Sequence, residues 1–337
     1  MNNKGMAITT VIYSIILLLS LCMFLVLGIL RSEYTNDKQY ITDLRDELND
    51  WLKGDEVSTG ADKLVSKTGN KDNSGLYTIV HPADSTLQIG TNEDITEYRY
   101  RGANPKNYVT FNNETWRIIG VFPVDDGNGN IENRIKIIRN ESIGDKYWNT
   151  EEVSSTSSYN NWTGATLNTY LNGTYLTGLS SETQSMIGNA KYYLGGCKSS
   201  QNIQKDVMYQ YERKISGSDY YYGTNPNSWI GKLALMYASD YGYAASDECT
   251  QTLHNYNNST CKENNWLYNI KVNEWTLPQV NSDSSLAFSI ISIGGVGNFM
   301  RYVYGDLLAV RPVLYLTSSA KITGGSGTLS SPYTFGL

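Results

Sequence analysis

The sequence predicts an α+β protein in which a long N-terminal helix precedes a sheet-dominated outer domain. Three observations lead to this fold class. Residues 5–30 contain no charged side chain, and an apolar stripe among charged residues follows them directly. Beyond Leu76, short runs rich in β-branched and aromatic residues alternate with Gly, Asn and Asp turns. Such runs are typical of strands rather than helices.

Residues 6–30 form the predicted transmembrane helix, behind a short leader of residues 1–5. These 25 residues would extend about 37 Å as an α-helix, enough to cross the hydrocarbon core of a bilayer. The run is longer than the apolar core of a cleaved secretory signal, and no small-residue cleavage site follows it. Lys4 precedes the run without an accompanying acid, and so short a head is easily retained inside. We therefore expect a single-pass protein with its C-terminal domain outside the cell.

Residues 31–53 are predicted to extend this helix as an amphipathic segment. Apolar side chains recur there at three-, four- and seven-residue steps, at Tyr34, Ile41, Leu44, Leu48 and Leu52. That spacing places them on one helix face. Residues 54–75 are rich in Gly, Ser, Thr, Asp and Lys and predict a linker. Residues 76–337 then form the extracellular α+β domain.

The outer domain begins with a predicted hairpin, in which a polar turn at 125–130 joins strands at 115–122 and 134–139. A helix is predicted at about 162–172, with Gly173 as its stop, and a second at 181–187. Later strands are predicted at 232–237, 286–293 and 310–316.

The first residues, Asn2-Asn3-Lys4-Gly5-Met6 followed by an uncharged apolar helix, resemble the N-termini of type IV prepilins. The resemblance implies cleavage after Gly5 by a prepilin peptidase and a mature chain that starts at Met6. Most such pilins carry Glu at the fifth mature position, where this chain has Thr10. The family pairs that Glu with a neighbouring subunit's amine, so a minor, tip-located subunit fits better than a fibre-forming one. The alternative is an uncleaved signal anchor.

The outer domain carries an ordered set of aromatic and aliphatic fragments. They are Trp116-Arg117-Ile118-Ile119, Ile135 to Arg139, Trp162 with Ala165, Leu167, Tyr170, Leu171, Asn172 and Tyr175, Gly231 to Met236, Trp275-Thr276-Leu277, and Val310 to Leu316. This set is similar to a domain of unknown function that is widespread in Gram-positive bacterial extracellular proteins. The resemblance covers about residues 98–317. It implies a remote relation to the C-type-lectin-like and formylglycine-generating-enzyme-like folds.

Cysteine usage predicts one disulfide outside the membrane. Cys22 lies in the apolar helix, so Cys197, Cys249 and Cys261 remain, and three single pairings are possible. We expect the Cys249–Cys261 pairing, which encloses a polar loop and would stabilise the fold by about 3 kcal/mol in an oxidising compartment. Cys197 is then a buried free thiol or a partner in trans.

An aromatic cluster provides the candidate ligand site. Tyr220, Tyr221 and Tyr222 follow Asp219, and Trp229 is close behind. Flat rings give a large contact area at low entropy cost, so these four residues could form a platform for a sugar or a protein. The alternative is a partly structural role, because alternation in a strand would bury half of them.

The sequence predicts no metal site and no cofactor. The two histidines, His81 and His254, stand far apart. The spacing of Asp126, Asn128 and Asn130 imitates the start of a calcium loop, but Ile131 occupies the position where such loops need glycine. A hairpin turn is the preferred interpretation, and a weak surface calcium site is the alternative.

Charge and motifs together favour a non-enzymatic surface protein. With 27 Lys and Arg against 33 Asp and Glu, the net charge is −6, so nucleic acid is not expected as a partner. No nucleophile–base arrangement is found. We expect a pilin-like or adhesin-like binding protein in the cell membrane, with lipid, other pilin-like subunits, and a glycan or protein ligand as partners. An anchored ecto-enzyme of the envelope and a plain sensor or scaffold are the alternatives, and a surface pilus is an alternative location.

Overall fold

The computed structural model describes residues 58–69, 71–73, 75–150, 159–268, 271–297 and 302–337. Four isolated positions before them, 20, 23, 41 and 45, are helical. The leader, its processing pair Gly5 and Met6, and most of the two predicted N-terminal helices lie outside the described residues. In the part of the chain that is described, no helix is both long and apolar enough to span a membrane. The chain divides into Met1–Val57 and Ser58–Leu337, and the second unit is the folded domain.

A short helix, α1 (Gly60–Val65), lies inside the segment that was predicted to be a linker. The Thr59 hydroxyl accepts the Asp62 backbone N–H at 3.1 Å, and the Asp62 carboxylate accepts the Thr59 N–H at 3.0 Å. This capping box satisfies two N–H groups that would otherwise be unpaired. Leu64 is buried, and the Gly60 N–H donates to the Ala320 carbonyl at 2.8 Å. Residues 58–69 therefore belong to the folded domain rather than to a linker.

The described residues of the domain form sixteen strands and five further α-helices. The strands are β1 (Leu76–His81), β2 (Ile95–Tyr100), β3 (Tyr108–Phe111), β4 (Glu114–Asp125), β5 (Ile131–Arg139), β6 (Asp145–Lys146), β7 (Ala190–Tyr193), β8 (Ser228–Gly231), β9 (Leu233–Ala234), β10 (Glu274–Gln279), β11 (Ala287–Ile290), β12 (Val296–Gly297), β13 (Leu308–Ala309), β14 (Val313–Tyr315), β15 (Lys321–Gly324) and β16 (Thr334–Gly336). The helices are α2 (Thr166–Tyr170), α3 (Ser181–Ser185), α4 (Lys205–Glu212), α5 (Ala238–Ala244) and α6 (Ser259–Lys262). Strands outweigh helices, which confirms the α+β, sheet-dominated prediction.

Two sheets organise the domain. The larger, seven-stranded sheet has the order β1-β2-β4-β5-β14-β9, with β3 paired to the first half of β4, and all its pairings are antiparallel. The second sheet has the order β12-β11-β10-β13-β6, in which β10 and β13 run parallel. β7 with β8 and β15 with β16 form two separate ribbons.

The predicted hairpin is confirmed as β4 and β5, which pair from Trp116 with Arg139 to Asp125 with Ile131. Asp126 closes the turn, because its carboxylate accepts the backbone N–H groups of Asn128 at 2.7 Å and Asn130 at 3.3 Å. These hydrogen bonds lower the pKa of Asp126 to about 2. The side chains that imitated a calcium loop are thus hydrogen-bonded to one another. No group of residues suited to hold a metal occurs among the described positions.

Most of the other predicted elements are confirmed with shorter bounds. The helix predicted at 162–172 consists of a 3₁₀ turn (Trp162–Gly164), α2 and a π turn (Leu171–Tyr175). The predicted stop at Gly173 is wrong, since the wider π turn carries the helix past it. The three late strands are β9, β11 and β14. The first of these is short because Tyr237 caps α5, with its backbone N–H donated to the Asp240 carboxylate at 2.9 Å.

A continuous apolar core lies beneath both sheets and is rich in tryptophan. Trp116, Trp148, Trp162 and Trp275 are each at most 2% exposed. The Trp148 ring meets Trp162 and Trp275 edge-on, with centroids 5.2 and 5.8 Å apart. Edge-to-face pairs of this kind stabilise a core by about 0.5–1.5 kcal/mol beyond the area they bury. The core thus fixes the loops between the strands, where the candidate sites lie.

Candidate functional site

The candidate ligand site is a cavity of about 390 Å³ beside Tyr220, called here the Tyr220 pocket. Tyr211 at the end of α4 and Tyr220 form one wall, with ring centroids 5.0 Å apart and a 50° tilt between the rings. Both tyrosines are half-buried. The remaining walls are mostly polar and are made by Lys198, Ser199, Gln201, Asn202, Asp219 and Asn281.

Close backbone packing positions Tyr220 in this pocket. Its carbonyl accepts the Gly196 N–H at 2.9 Å, and its own N–H donates to Gly217 at 3.0 Å. Gly217 has φ +129°, a conformation that glycine adopts freely. A Cβ at Gly196 would lie 1.9 Å from the Gln279 carbonyl oxygen, so only glycine permits this approach to β10. The ring of Tyr220 is therefore held by a rigid turn.

Asn281 connects the pocket to the end of β10. Its amide nitrogen donates to the Ser218 carbonyl at 2.6 Å, which fixes the turn that carries Asp219 and Tyr220. Its amide oxygen is buried and has no hydrogen-bond partner among the described residues. An amide carbonyl can accept two hydrogen bonds, so this buried oxygen is an unsatisfied acceptor next to the pocket.

Cys197 contributes a thiol to the base of the pocket but not a nucleophile. Its sulfur is unbridged and buried, and it donates to the Ser199 carbonyl at 3.4 Å. Burial raises the pKa of Cys197 to about 12. The thiol is therefore protonated at neutral pH and is poorly suited to covalent catalysis.

Of the three consecutive tyrosines of the predicted platform, Tyr221 and Tyr222 are not part of the pocket lining. Tyr220 lines the pocket, whereas Tyr221 is only 6% exposed and its hydroxyl donates to the Lys214 carbonyl. The backbone N–H of Tyr222 donates to the Gln279 side chain at 2.9 Å. Tyr220, Tyr221 and Tyr222 occupy a turn rather than a strand. The backbone of this turn, and not the alternation of faces along a strand, therefore decides that Tyr221 is the buried one.

Trp229, the fourth platform residue, lies in β8. Its ring packs against Tyr192 and Trp162, with centroids 5.8 and 6.2 Å away. The ring also covers Gly231, where a Cβ would lie 1.9 Å from it. Trp229 therefore joins the core cluster on its inner side. It is not part of the lining of the Tyr220 pocket.

The predicted disulfide is confirmed. Cys249 and Cys261 are bridged, with Cα atoms 4.8 Å apart, and both residues are buried. The bridge links Cys249, in the segment after α5, to Cys261 in α6. Cys197 is buried and unbridged within the chain.

A buried charge cluster lies between the main sheet and helices α4 and α5. Its members are Glu97, Arg99, Lys136, Glu212, Arg213 and Asp240, each at most 3% exposed. Arg99 contacts Glu97 at 2.7 Å and Asp240 at 2.8 Å, and Lys136 also contacts Asp240. The cluster was not predicted from the sequence, although Glu97 and Arg99 lie on the same face of β2 as the buried Ile95. Because each acid is paired with a cation, we assign the cluster a structural role.

Glu212, a member of this cluster, has a raised pKa. It accepts the Ser239 N–H at 3.0 Å and lies 3.0 Å from Arg213. Burial raises the pKa of Glu212 from 4.5 to about 7, and the nearby Arg213 opposes this shift without cancelling it. The folded state therefore binds a proton at Glu212 more tightly than the unfolded chain does.

We expect Glu212 to make the domain less stable as the pH rises from about 4.5 to 7. In this window the folded state still holds a proton that the unfolded state has released, so the free energy of unfolding falls with pH, by up to about 1.4 kcal/mol per unit. Urea unfolding at pH 5, 6 and 7 measures this slope. Glu212→Gln should flatten the slope, whereas the exposed control Glu182→Gln should leave it unchanged. An unchanged slope in Glu212→Gln would contradict the assignment.

The residues that build the Tyr220 pocket are far apart in the sequence. Tyr220 was identified as a candidate from the sequence, but Asp219, Tyr211, Gln201, Asn202 and Asn281 were not, because no local pattern marks them as a site. Comparisons of the chain with protein-family models, with curated proteins and with solved structures found no match. What the pocket can bind is therefore inferred from its own side chains.

Proposed function

We propose that this chain is a membrane-anchored, outward-facing surface protein that binds a glycan in the Tyr220 pocket. The observation that supports the ligand class is the half-buried Tyr211–Tyr220 pair beside amide and carboxylate side chains. The volume of about 390 Å³ is that of a small-molecule site and suits one or two sugar rings.

The chemistry of the walls suits a sugar in two ways. An aromatic face packs against the C–H groups of a pyranose ring and excludes water there. Gln201 and Asn202 offer amide groups, and Asp219 offers a carboxylate, that can pair with hydroxyl groups. A pocket that combines one apolar wall with several polar walls orients an amphipathic ligand such as a sugar.

Anchoring and assembly complete the proposal. The uncharged run at 6–30 supports a single-pass anchor with the domain outside. The Gly5–Met6 boundary supports cleavage by a prepilin peptidase and incorporation into a pilus-like assembly as a minor subunit. The C-type-lectin-like relation of the domain belongs to the same proposal and rests on the fragments between residues 98 and 317.

Removal of the Tyr220 ring should abolish most glycan binding. We propose to screen the detergent-solubilised full-length protein against an array of bacterial surface oligosaccharides, and then to measure the affinity for the best hit by calorimetry. Tyr220→Ala should weaken binding about tenfold or more, because it removes one of the two rings of the wall. Tyr220→Phe, which keeps the ring, should stay within about threefold of the wild type.

Tyr147→Ala is the matched control, since Tyr147 is a partly exposed tyrosine outside the pocket. Its affinity should equal that of the wild type. Absence of any bound saccharide, or equal affinities for Tyr220→Ala and Tyr147→Ala, would overturn the glycan assignment.

The anchoring proposal has a separate test. Intact mass measurement and N-terminal sequencing of protein from native membranes should find a chain that starts at Met6, with a methylated amine. A chain that still starts at Met1 would exclude prepilin processing and leave a single-pass anchor.

A further inference from the structure

A second cavity, of about 570 Å³, lies where β3 and β4 meet the segment after α6. We call it the Arg117 pocket. Its lining includes the cations Arg117, Lys262 and Lys271 and a single acid, Glu263. The pocket thus concentrates positive charge in a chain whose net charge is −6. A concave site lined by one sign of charge raises the local concentration of ligands of the opposite sign.

Arg117 is held in one orientation. Its side chain is on β4 and the residue is only 3% exposed. Nε donates to the Asn107 side-chain oxygen at 2.7 Å, and Nη2 lies 3.4 Å from the Pro105 carbonyl. The guanidinium also lies over two rings, 4.0 Å from the Tyr108 centroid and 4.7 Å from that of Trp266. Its planar fork is therefore pre-organised before any ligand arrives.

Arg117 has no carboxylate partner among the described residues, and this sets it apart from other buried arginines of the domain. Arg99 contacts Glu97 and Asp240, Arg213 contacts Glu212, and Arg311 contacts Glu274 at 2.6 Å. A buried charge without a counter-charge strongly destabilises a fold. Burial lowers the pKa of Arg117 to about 10, and the charge of Arg311 adds to this shift, so the group is still cationic at neutral pH.

We propose that the Arg117 pocket binds an oxyanion, the carboxylate or phosphate group of a ligand, which supplies the missing counter-charge. The planar fork pairs with two oxygens of such a group at once. Lys262 is half-buried and Lys271 is exposed, so both can add charge at the mouth of the pocket. This site is distinct from the Tyr220 pocket and does not depend on the glycan proposal, because no residue lines both cavities.

The test is a calorimetric titration of the full-length protein with four probes. D-glucuronate carries a carboxylate and glycerol 1-phosphate carries a phosphate, while D-glucose and glycerol are their neutral counterparts. We expect at least one anionic probe to bind about tenfold or more tightly than its neutral counterpart, and its binding to weaken as NaCl is raised. The anionic probe that binds more tightly shows whether the site prefers a carboxylate or a phosphate group. Equal binding of charged and neutral probes would overturn the proposal.

Two variants and one control localise the binding. Arg117→Gln should weaken binding of the anionic probe about tenfold or more. Lys262→Gln, at the mouth of the pocket, should weaken it about threefold. Lys321→Gln removes an exposed charge on β15, outside the pocket, and should have no effect. The melting temperature of each variant shows whether it folds. If Arg117→Gln does not fold, Lys262→Gln decides, and unchanged binding in a folded Lys262→Gln protein would overturn the assignment.

Discussion

Replacement of Asp240 by asparagine is expected to lower the free energy of unfolding by about 3–5 kcal/mol. The Asp240 carboxylate is fully buried, contacts both Arg99 and Lys136, and accepts the Tyr237 N–H at the start of α5. Burial by itself raises the pKa of Asp240, but these two cations outweigh it and hold the pKa below its ordinary value. The substitution would leave two buried cations without their shared anion.

Asp247→Asn is the matched control for this prediction. Asp247 pairs with Arg101 at 2.7 Å, but its side chain is 73% exposed. Exposed ion pairs stabilise a fold by about 0–1 kcal/mol, so this variant should lie close to the wild type. Urea unfolding of the three proteins at pH 7 measures both effects. Equal stabilities of the two variants would show that water reaches the buried charge cluster, contrary to its packing.

The depressed pKa of Asp240 also predicts the direction of acid denaturation. A carboxylate with a lowered folded pKa stabilises the fold above its unfolded pKa and loses this contribution as the pH falls. The wild type should therefore become less stable below about pH 4. Asp240→Asn should lose less stability than the wild type between pH 5 and pH 3, because it lacks this titrating group.

Loss of the Cys249–Cys261 bridge is the second large effect. The bridge closes a loop with a sequence separation of 12, and its removal should lower the free energy of unfolding by about 3 kcal/mol. Thermal unfolding of Cys249→Ala/Cys261→Ala, with and without reductant, measures this. The double variant should melt well below the oxidised wild type and should not respond to reductant.

Cys197→Ala provides the control for the bridge. Cys197 is buried but unbridged, so this variant should keep the response of the wild type to reductant. A wild-type protein whose melting temperature is the same in reductant and in oxidant would contradict a stabilising role for the bridge.

Much of the fold was predictable because strand and turn patterns are local. The β4–β5 hairpin follows from two apolar runs around a polar turn. All the residue pairs that define its register lie between Trp116 and Arg139, and are therefore close along the chain. The pairing of Cys249 with Cys261 was predictable for the same reason. α1 was missed because its small, polar residues resemble a linker, and only its packing beside Ala320 makes the helix part of the domain.

The candidate sites were predictable only in fragments. The three consecutive tyrosines stood out as a local cluster and Tyr220 lines the pocket, but Tyr221 beside it is buried by its turn. The charge cluster joins β2, β5 and α5, and its charges look like surface residues in the sequence. Nothing in the sequence near Arg117 shows that this arginine has no carboxylate partner in the described part of the chain.

The sequence by itself determined the α+β class, the hairpin and the disulfide, because each depends on residues that are close along the chain or on composition. The anchor stays a prediction from the same local pattern. The tertiary structure alone decided which charges are buried and which of them are paired. Asp240 meets a lysine 104 positions away, and Arg117 lies against Trp266 without a carboxylate partner among the described residues. The physical reason is that burial and electrostatic pairing depend on distances in space, which the chain sets only after distant segments have packed together.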